Sequence, residues 1–176
     1  MKASPRFSIV IPTRNRADTL RHALATCLQQ DFGDYEIVVC DNSDDQSARG
    51  VVERANSPLI RYLAPEQALA MSANWERGVG AAQGEYVTVL GDDDGLMPYA
   101  LRELSALVER FSPKAIQWSR GIYTWPTIGI DGEQDLLRLP LARTLTEVDG
   151  RAQIEKVMRF EVGSDSLPMI YCSMIH

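Results

Sequence analysis

Apolar residues fall along this chain in two alternating rhythms. Short solid runs at residues 7–11, 35–40, 59–63 and 86–90 are separated by stretches in which apolar positions recur at helical spacing. The solid runs predict strands covered on both faces, and the spaced positions predict helices packed over them. The first strand, residues 7–11, is stopped by Pro12. A helix follows to about Gln30, capped by Asn15 with Asp18 as its N3 acid and buried through Leu20, Ala23, Leu24, Cys27 and Leu28. After the strand at 35–40 comes a short helix over 46–55, weakened by Gly50. Residues 59–63 are the third strand, and residues 69–82 are a helix with Met71, Trp75, Val79 and Ala82 on one face. Trp75 reads as core rather than as a stacking platform. The strand at 86–90 is followed by a helix opening at Pro98, with Leu101, Leu104, Val108 and Phe111 as its buried stripe.

Residues 115–118 read as a further strand, which 121–126 extend or turn away from. Between 127 and 145 the periodicity fades, and Gly129, Gly132 and Pro140 mark a long surface excursion. Asp149 or Gly150 opens a helix through Phe160, buried by Ile154, Val157 and Met158. Residues 168–176 read as a strand, and the chain stops within it. That ending predicts a truncated polypeptide whose open sheet edge self-associates.

Strands alternating with helices predict a doubly wound α/β domain with a mostly parallel central sheet. The 176 residues suit one domain, read as a ligand-binding half over 1–112 and the start of a second half over 113–176. With 45% hydrophobic and 24% charged residues the composition is ordinary and changes little. The net charge of −6 argues against a general nucleic-acid binder. Cys27, Cys40 and Cys172 sit among apolar neighbours with no metal-binding spacing, which predicts reduced core thiols. No apolar run approaches the ~20 residues of a membrane span. The expectation is a cytoplasmic protein, with association at the inner face of a membrane left open.

The strongest chemical signal is Gly91-Asp92-Asp93-Asp94-Gly95, directly after the most apolar strand. In open α/β sheets ligands bind beyond the carboxyl ends of the strands. Adjacent carboxylates repel and raise one another's pKa unless they share a cation. Hard divalent ions such as Mg²⁺ and Mn²⁺ take oxygen ligands, typically one or two carboxylates completed by substrate phosphates. The competing reading is a solvated turn ahead of the Pro98 helix; the buried strand before it favours a metal site. Two weaker signals accompany it. Residues 12–16 (PTRNR) form a short basic connection into a helix N-terminus, either an anion site or a solvated turn with surface arginines. Asp41 ends its strand as the triplet ends its own, and either contacts a base or ribose or merely starts a turn.

Three pieces in order, residues 7–16 (FSIVIPTRNR), 35–43 (YEIVVCDNS) and 84–98 (GEYVTVLGDDDGLMP), resemble the family 2 glycosyltransferases of GT-A fold. The resemblance covers about the first 110 residues. It implies inverting transfer of a sugar from a nucleotide diphosphate donor, most simply a UDP-sugar, to a saccharide, lipid or other hydroxyl acceptor. By analogy Pro12, Thr13 and Arg16 border the nucleotide and Asp41 faces the base. In the DxD-type motif Asp92 takes a ribose or metal-shell role, Asp93 is the metal ligand, and Asp94 is an outer or alternate ligand. The family's arginine-asparagine pair is Ala73-Asn74 here, leaving Asn74 as a donor to the base. The catalytic base has no match in a fixed setting. Glu161 and Asp165 are candidates by order alone, and the alternative is a base beyond this chain. Two other functions compete: a donor-binding module without turnover, and a haloacid-dehalogenase-like phosphotransferase with Asp92 as nucleophile. The second lacks its later Ser/Thr, Lys and acid partners.

Overall fold

Runs of β-branched and apolar residues, too apolar to face water on either side, build the centre of the molecule. The computed structural model describes residues 4–45, 47–124, 136–138, 144–164, 167 and 172–176, and of 122–124 and 136–138 the backbone only. In chain order the elements are β1 (Phe7–Thr13), α1 (Ala17–Leu28), β2 (Tyr35–Asp41), α2 (Ser47–Ala55), β3 (Ile60–Leu63), α3 (Met71–Ala81) and β4 (Tyr86–Val89). They continue with α4 (Ala100–Phe111), β5 (Ala115–Gln117), β6 (Ile122–Thr124), β7 (Leu136–Arg138), α5 (Gly150–Met158) and β8 (Ser173–Ile175). The main sheet has six strands in the order β3-β2-β1-β4-β8-β5, with β1 to β4 mutually parallel and β8 antiparallel to both its neighbours. This is the doubly wound, mostly parallel α/β architecture that the alternation predicts. A separate ribbon pairs β6 with β7.

The sheet buries apolar side chains on both faces. On one face Phe7, Ile9, Ile11, Ile37 and Val39 pack with Leu20, Leu24 and Leu101 from the helices. On the other, Val10, Val38, Cys40 and Val89 form a smaller cluster, and α3 lies against β1 and β2. All three cysteines are free and buried, as expected of core thiols. Among the described residues no helix is long and apolar enough to cross a membrane.

Several boundaries differ from the sequence expectation for physical reasons. Pro12 does not end β1: pairing with β2 continues through Pro12–Cys40 to Thr13–Asp41. The β4 ladder has by then ended, its last bond running from the Leu90 N–H to the Val10 carbonyl at 2.9 Å. Pro12 therefore lacks an N–H where no neighbour needs one. Asn15 does not cap α1; Arg16 holds the cap position without a side-chain cap bond, and Asn15 sits at φ 55°. α4 begins at Ala100, two residues after Pro98, and Phe111 at its end is 39% exposed.

The buried face of α3 is Asn74 and Gly78, while Met71 and Val79 are exposed. A Cβ at position 78 would stand 2.5 Å from Cys40 Sγ and 2.6 Å from Val10 Cγ1, so glycine sets how closely α3 approaches the sheet. α5 is capped by Asp149, which accepts from the Ala152 N–H at 2.8 Å, yet Ile154 and Met158 are exposed and the helix has no buried residue. The open edge expected of the C-terminal strand does not occur. β8 lies inside the sheet, paired to β4 at Ile175–Val87 and to β5 along its length. The expected strand at 168–171 and most of the 127–145 excursion lie outside the described residues.

Candidate functional site

The parallel register brings the carboxyl ends of β1, β2 and β4 to one edge of the sheet. Thr13 ends β1 opposite Asp41 at the end of β2, and β4 runs through Leu90 into the acid triplet. Gly91 permits the triplet to curl back on itself: the Asp94 N–H donates to the Gly91 carbonyl at 3.1 Å. A Cβ at Gly91 would fall 2.7 Å from Asp94 Oδ2.

Within the triplet the three acids have different surroundings. Asp92 is 5% exposed. The Thr13 hydroxyl donates to its Oδ2 at 2.7 Å, and Arg16 Nη1 lies 3.2 Å from its Oδ1. A hydrogen bond to a buried charged group contributes about 1.5–3 kcal/mol, so Thr13 ties β1 firmly to the β4 turn. Asp93 is half exposed, and Arg16 Nη2 donates to its Oδ2 at 2.6 Å. Burial holds Asp92 above the usual carboxylate range, partly offset by the Thr13 hydrogen bond and the Arg16 charge. Asp94 is also held high, first by burial and then by the Asp93 charge. Arg16 is raised, chiefly by its hydrogen bond to Asp93. The mutual repulsion expected of adjacent carboxylates is present but secondary to desolvation at both raised acids.

The second group of polar residues surrounds the end of β2. Asp41 is buried; its Oδ1 accepts from the Ser43 N–H at 2.8 Å and its Oδ2 from the Tyr62 hydroxyl at 2.6 Å. Asn42 clamps the loop before α3, accepting from the Leu69 N–H at 2.8 Å and donating to the Leu69 carbonyl at 2.9 Å. Asn74 donates from Nδ2 to the Cys40 carbonyl at 2.9 Å, and its buried Oδ1 has no partner among the described residues. Asn15 reaches across from the β1–α1 connection: its Nδ2 donates to Asp44 and its Oδ1 accepts from the Asp44 N–H, each at 2.9 Å. A cavity of about 260 Å³ opens here, lined by Asp41, Asn42, Ser43, Asp44 and residues 64–68. A larger open cleft at Val52, Glu53 and Pro58 lies by the amino end of β3, remote from both groups.

The structure thus joins Thr13, Arg16, Asp92 and Asp93 in one network, sets Asp41 on the wall of the neighbouring cavity, and buries Asn74 against the Cys40 carbonyl. Pro12 contributes backbone only. Glu161 is exposed beyond the end of α5, and Asp165 lies outside the described residues. Tyr62 and Asn42 escape sequence reasoning, and Asn15, expected as the α1 cap, bonds to Asp44 instead. Tyr62 carries no local signal, since it reaches Asp41 only through the pairing of β3 with β2.

The described residues contain no group of three His, Cys, Asp or Glu side chains converging on one point. Asp92 is buried and held on both oxygens by Thr13 and Arg16, which leaves Asp94 and the Asp93 oxygen that Arg16 does not hold as the more open oxygen donors. That set fits an Mg²⁺ or Mn²⁺ ion that draws its remaining ligands from a bound phosphate and water, and does not fit a cage supplied wholly by protein.

Comparison with known proteins agrees with this architecture. Residues 8–151 match the model of the family described as Glycosyl transferase family 2. The chain is 35% identical over 103 residues to GalNAc(5)-diNAcBac-PP-undecaprenol beta-1,3-glucosyltransferase of Campylobacter jejuni, a match covering 57% of this chain and 33% of that protein. It is 27% identical over 143 residues to the succinoglycan biosynthesis protein ExoO of Rhizobium meliloti, covering 77% of this chain and 40% of the relative. Among solved structures, S. aureus TarS 1-349 superposes with a TM-score of 0.60 at 22% identity, over 73% of this chain and 38% of that one. The chain therefore spans well under half the length of each of these proteins.

Proposed function

Since the chain belongs to glycosyl transferase family 2, we propose that it carries the donor-binding half of an enzyme that transfers a sugar, with inversion, from a nucleotide diphosphate donor to an acceptor hydroxyl. On this reading residues 1–112 bind the donor and residues 113–176 begin the acceptor side. The observation that carries it is the Thr13–Asp92–Arg16–Asp93 network at the carboxyl ends of β1 and β4, beside the cavity at the end of β2.

Each residue has a task in this arrangement. Asp41, fixed by Tyr62 and Ser43, keeps lone pairs with which to accept from a ring N–H of the base, and uracil presents one. Asn74, whose Nδ2 keeps a second N–H after donating to the Cys40 carbonyl, is the donor to a carbonyl of the base on this reading. Asp92, held rigidly by Thr13, faces the ribose, and the α1 N-terminus with Arg16 faces the diphosphate. Asp93, with Asp94 alongside, would hold the divalent ion. Such an ion, when bound, neutralises charge that grows on a departing nucleoside diphosphate. The structural neighbours lend support: TarS is described in complex with UDP-GlcNAc, and a Pyrobaculum calidifontis mannosyltransferase with GDP-Man and Mn²⁺.

Glu161 is exposed beyond the end of α5 and Asp165 lies outside the described residues, so a module that binds donor without transferring it is the second reading. The exposed setting of Glu161 favours that reading. The phosphotransferase alternative fits less well, because a nucleophilic Asp92 would need an oxygen free of Thr13 and Arg16. Calorimetric titration with a panel of nucleotide sugars, with and without Mn²⁺, tests the proposal. A uridine donor should bind in a metal-dependent way, and failure of every nucleotide diphosphate to bind would overturn it. Single-turnover transfer then separates enzyme from module.

A further inference from the structure

Arg16 lies where the donor-site reading puts a metal. Its guanidinium bridges two acids, with Nη1 at 3.2 Å from Asp92 Oδ1 and Nη2 at 2.6 Å from Asp93 Oδ2. The two contacts are unequal in their surroundings. Asp92 is buried and held on its other oxygen by Thr13, so it stays in place whether or not Arg16 does. The Asp93 side chain is 50% exposed, and that of Arg16 is 47% exposed. An ion pair this open to water adds little net stability and is readily exchanged for another.

We infer that Arg16 is an internal counter-cation that occupies Asp93 while the donor site is empty, and that it must release Asp93 before a divalent ion can bind there. This rests on the donor-site reading above. A divalent ion on Asp93 would stand within a few ångströms of the guanidinium held on Oδ2, and repulsion at such separations disfavours holding both. Arg16 remains tethered to Asp92 when it lets go, and a diphosphate offers its planar fork a bidentate partner. Metal and nucleotide therefore bind as a pair. Metal alone has to displace Arg16, whereas metal arriving with a diphosphate finds Arg16 drawn away. The device keeps the acids from taking up stray divalent ions and couples metal capture to donor arrival.

The test is Mn²⁺ binding measured by calorimetry and by the paramagnetic signal of free Mn²⁺, with and without UDP. The proteins compared are the unsubstituted chain, Arg16→Gln and Arg16→Lys, with thermal melts as a check on folding. Removing the competing charge in Arg16→Gln should tighten Mn²⁺ binding without nucleotide by about three- to tenfold. The same change should shrink the gain in Mn²⁺ affinity that UDP confers. Arg16→Lys, a cation without the fork, should fall between the two. If the unsubstituted chain binds UDP with Mn²⁺ but Arg16→Gln binds Mn²⁺ alone no better, the counter-cation role is wrong and the donor site stands. If the unsubstituted chain binds neither Mn²⁺ nor UDP, the donor site fails and the inference fails with it.

Discussion

A carboxylate oxygen has room for two hydrogen bonds, and among the described residues each oxygen of Asp41 has one partner, the Ser43 N–H on Oδ1 and the Tyr62 hydroxyl on Oδ2. The remaining acceptor capacity is aimed by those two donors. Asp41→Ala should weaken UDP by about 1–3 kcal/mol, the range for losing a buried hydrogen bond, and leave Mn²⁺ affinity unchanged. Tyr62→Phe keeps the ring but releases the carboxylate, so a smaller loss of about 0.5–1.5 kcal/mol in the same direction is expected. Calorimetry with UDP and GDP measures both; if Asp41→Ala binds each nucleotide as tightly as the unsubstituted chain does, Asp41 is a turn residue. Asp41 and the acid triplet were legible because each follows an apolar run that had to be a strand. Tyr62 was not, because the pairing that aims it spans 21 residues of sequence. Asn15 was legible as a polar residue before a helix, but its bonds go across to Asp44 rather than into the helix.

At the scale of elements, strands were read well and helix faces less well. The first five strands announce themselves by apolar runs, and their ends differ by only one or two residues, whereas β7 falls in the stretch expected to be a surface excursion. Large apolar residues do not mark the buried face of α3, since Met71 and Val79 are exposed. Its packing instead uses small residues, with Gly78 against Cys40 and Val10. Gly78→Ala should therefore destabilise the fold by about 1–3 kcal/mol through overpacking, read as a lower urea midpoint at constant slope. Gly80→Ala, in the same helix with nothing within 4 Å of the added Cβ, should be neutral or stabilise by up to about 1 kcal/mol. Similar losses in the two variants would mean that helix propensity, and not close approach, governs position 78. α5 departs the other way: its apolar spacing is genuine, but no described neighbour buries it.

For the whole molecule, the core brings an alkaline limit. Burial pushes the Cys27 thiol up to about 12 and the Cys40 thiol up to about 11, and raises Tyr35, Tyr62 and Tyr86 as well. Groups with a raised folded-state pKa leave stability intact below the unfolded value and remove it as pH rises toward the folded one. The urea midpoint should thus fall as pH climbs from about 8.5, the ordinary thiol value, toward 11. Cys27→Ala should make that fall shallower, and a flat profile in the unsubstituted protein would contradict the burial argument. The account as a whole depends on one claim, that this edge of the sheet binds a nucleoside diphosphate through a divalent ion on Asp93. The most direct measurement is a titration of UDP with and without Mn²⁺ into the unsubstituted chain and into Asp93→Asn. Mn²⁺ should tighten UDP binding by about tenfold or more in the first, equivalent to about 1.4 kcal/mol, and by nothing in the second, which should remain folded. The same Mn²⁺-dependent affinity in Asp93→Asn, or no dependence on Mn²⁺ in the unsubstituted chain, would contradict it.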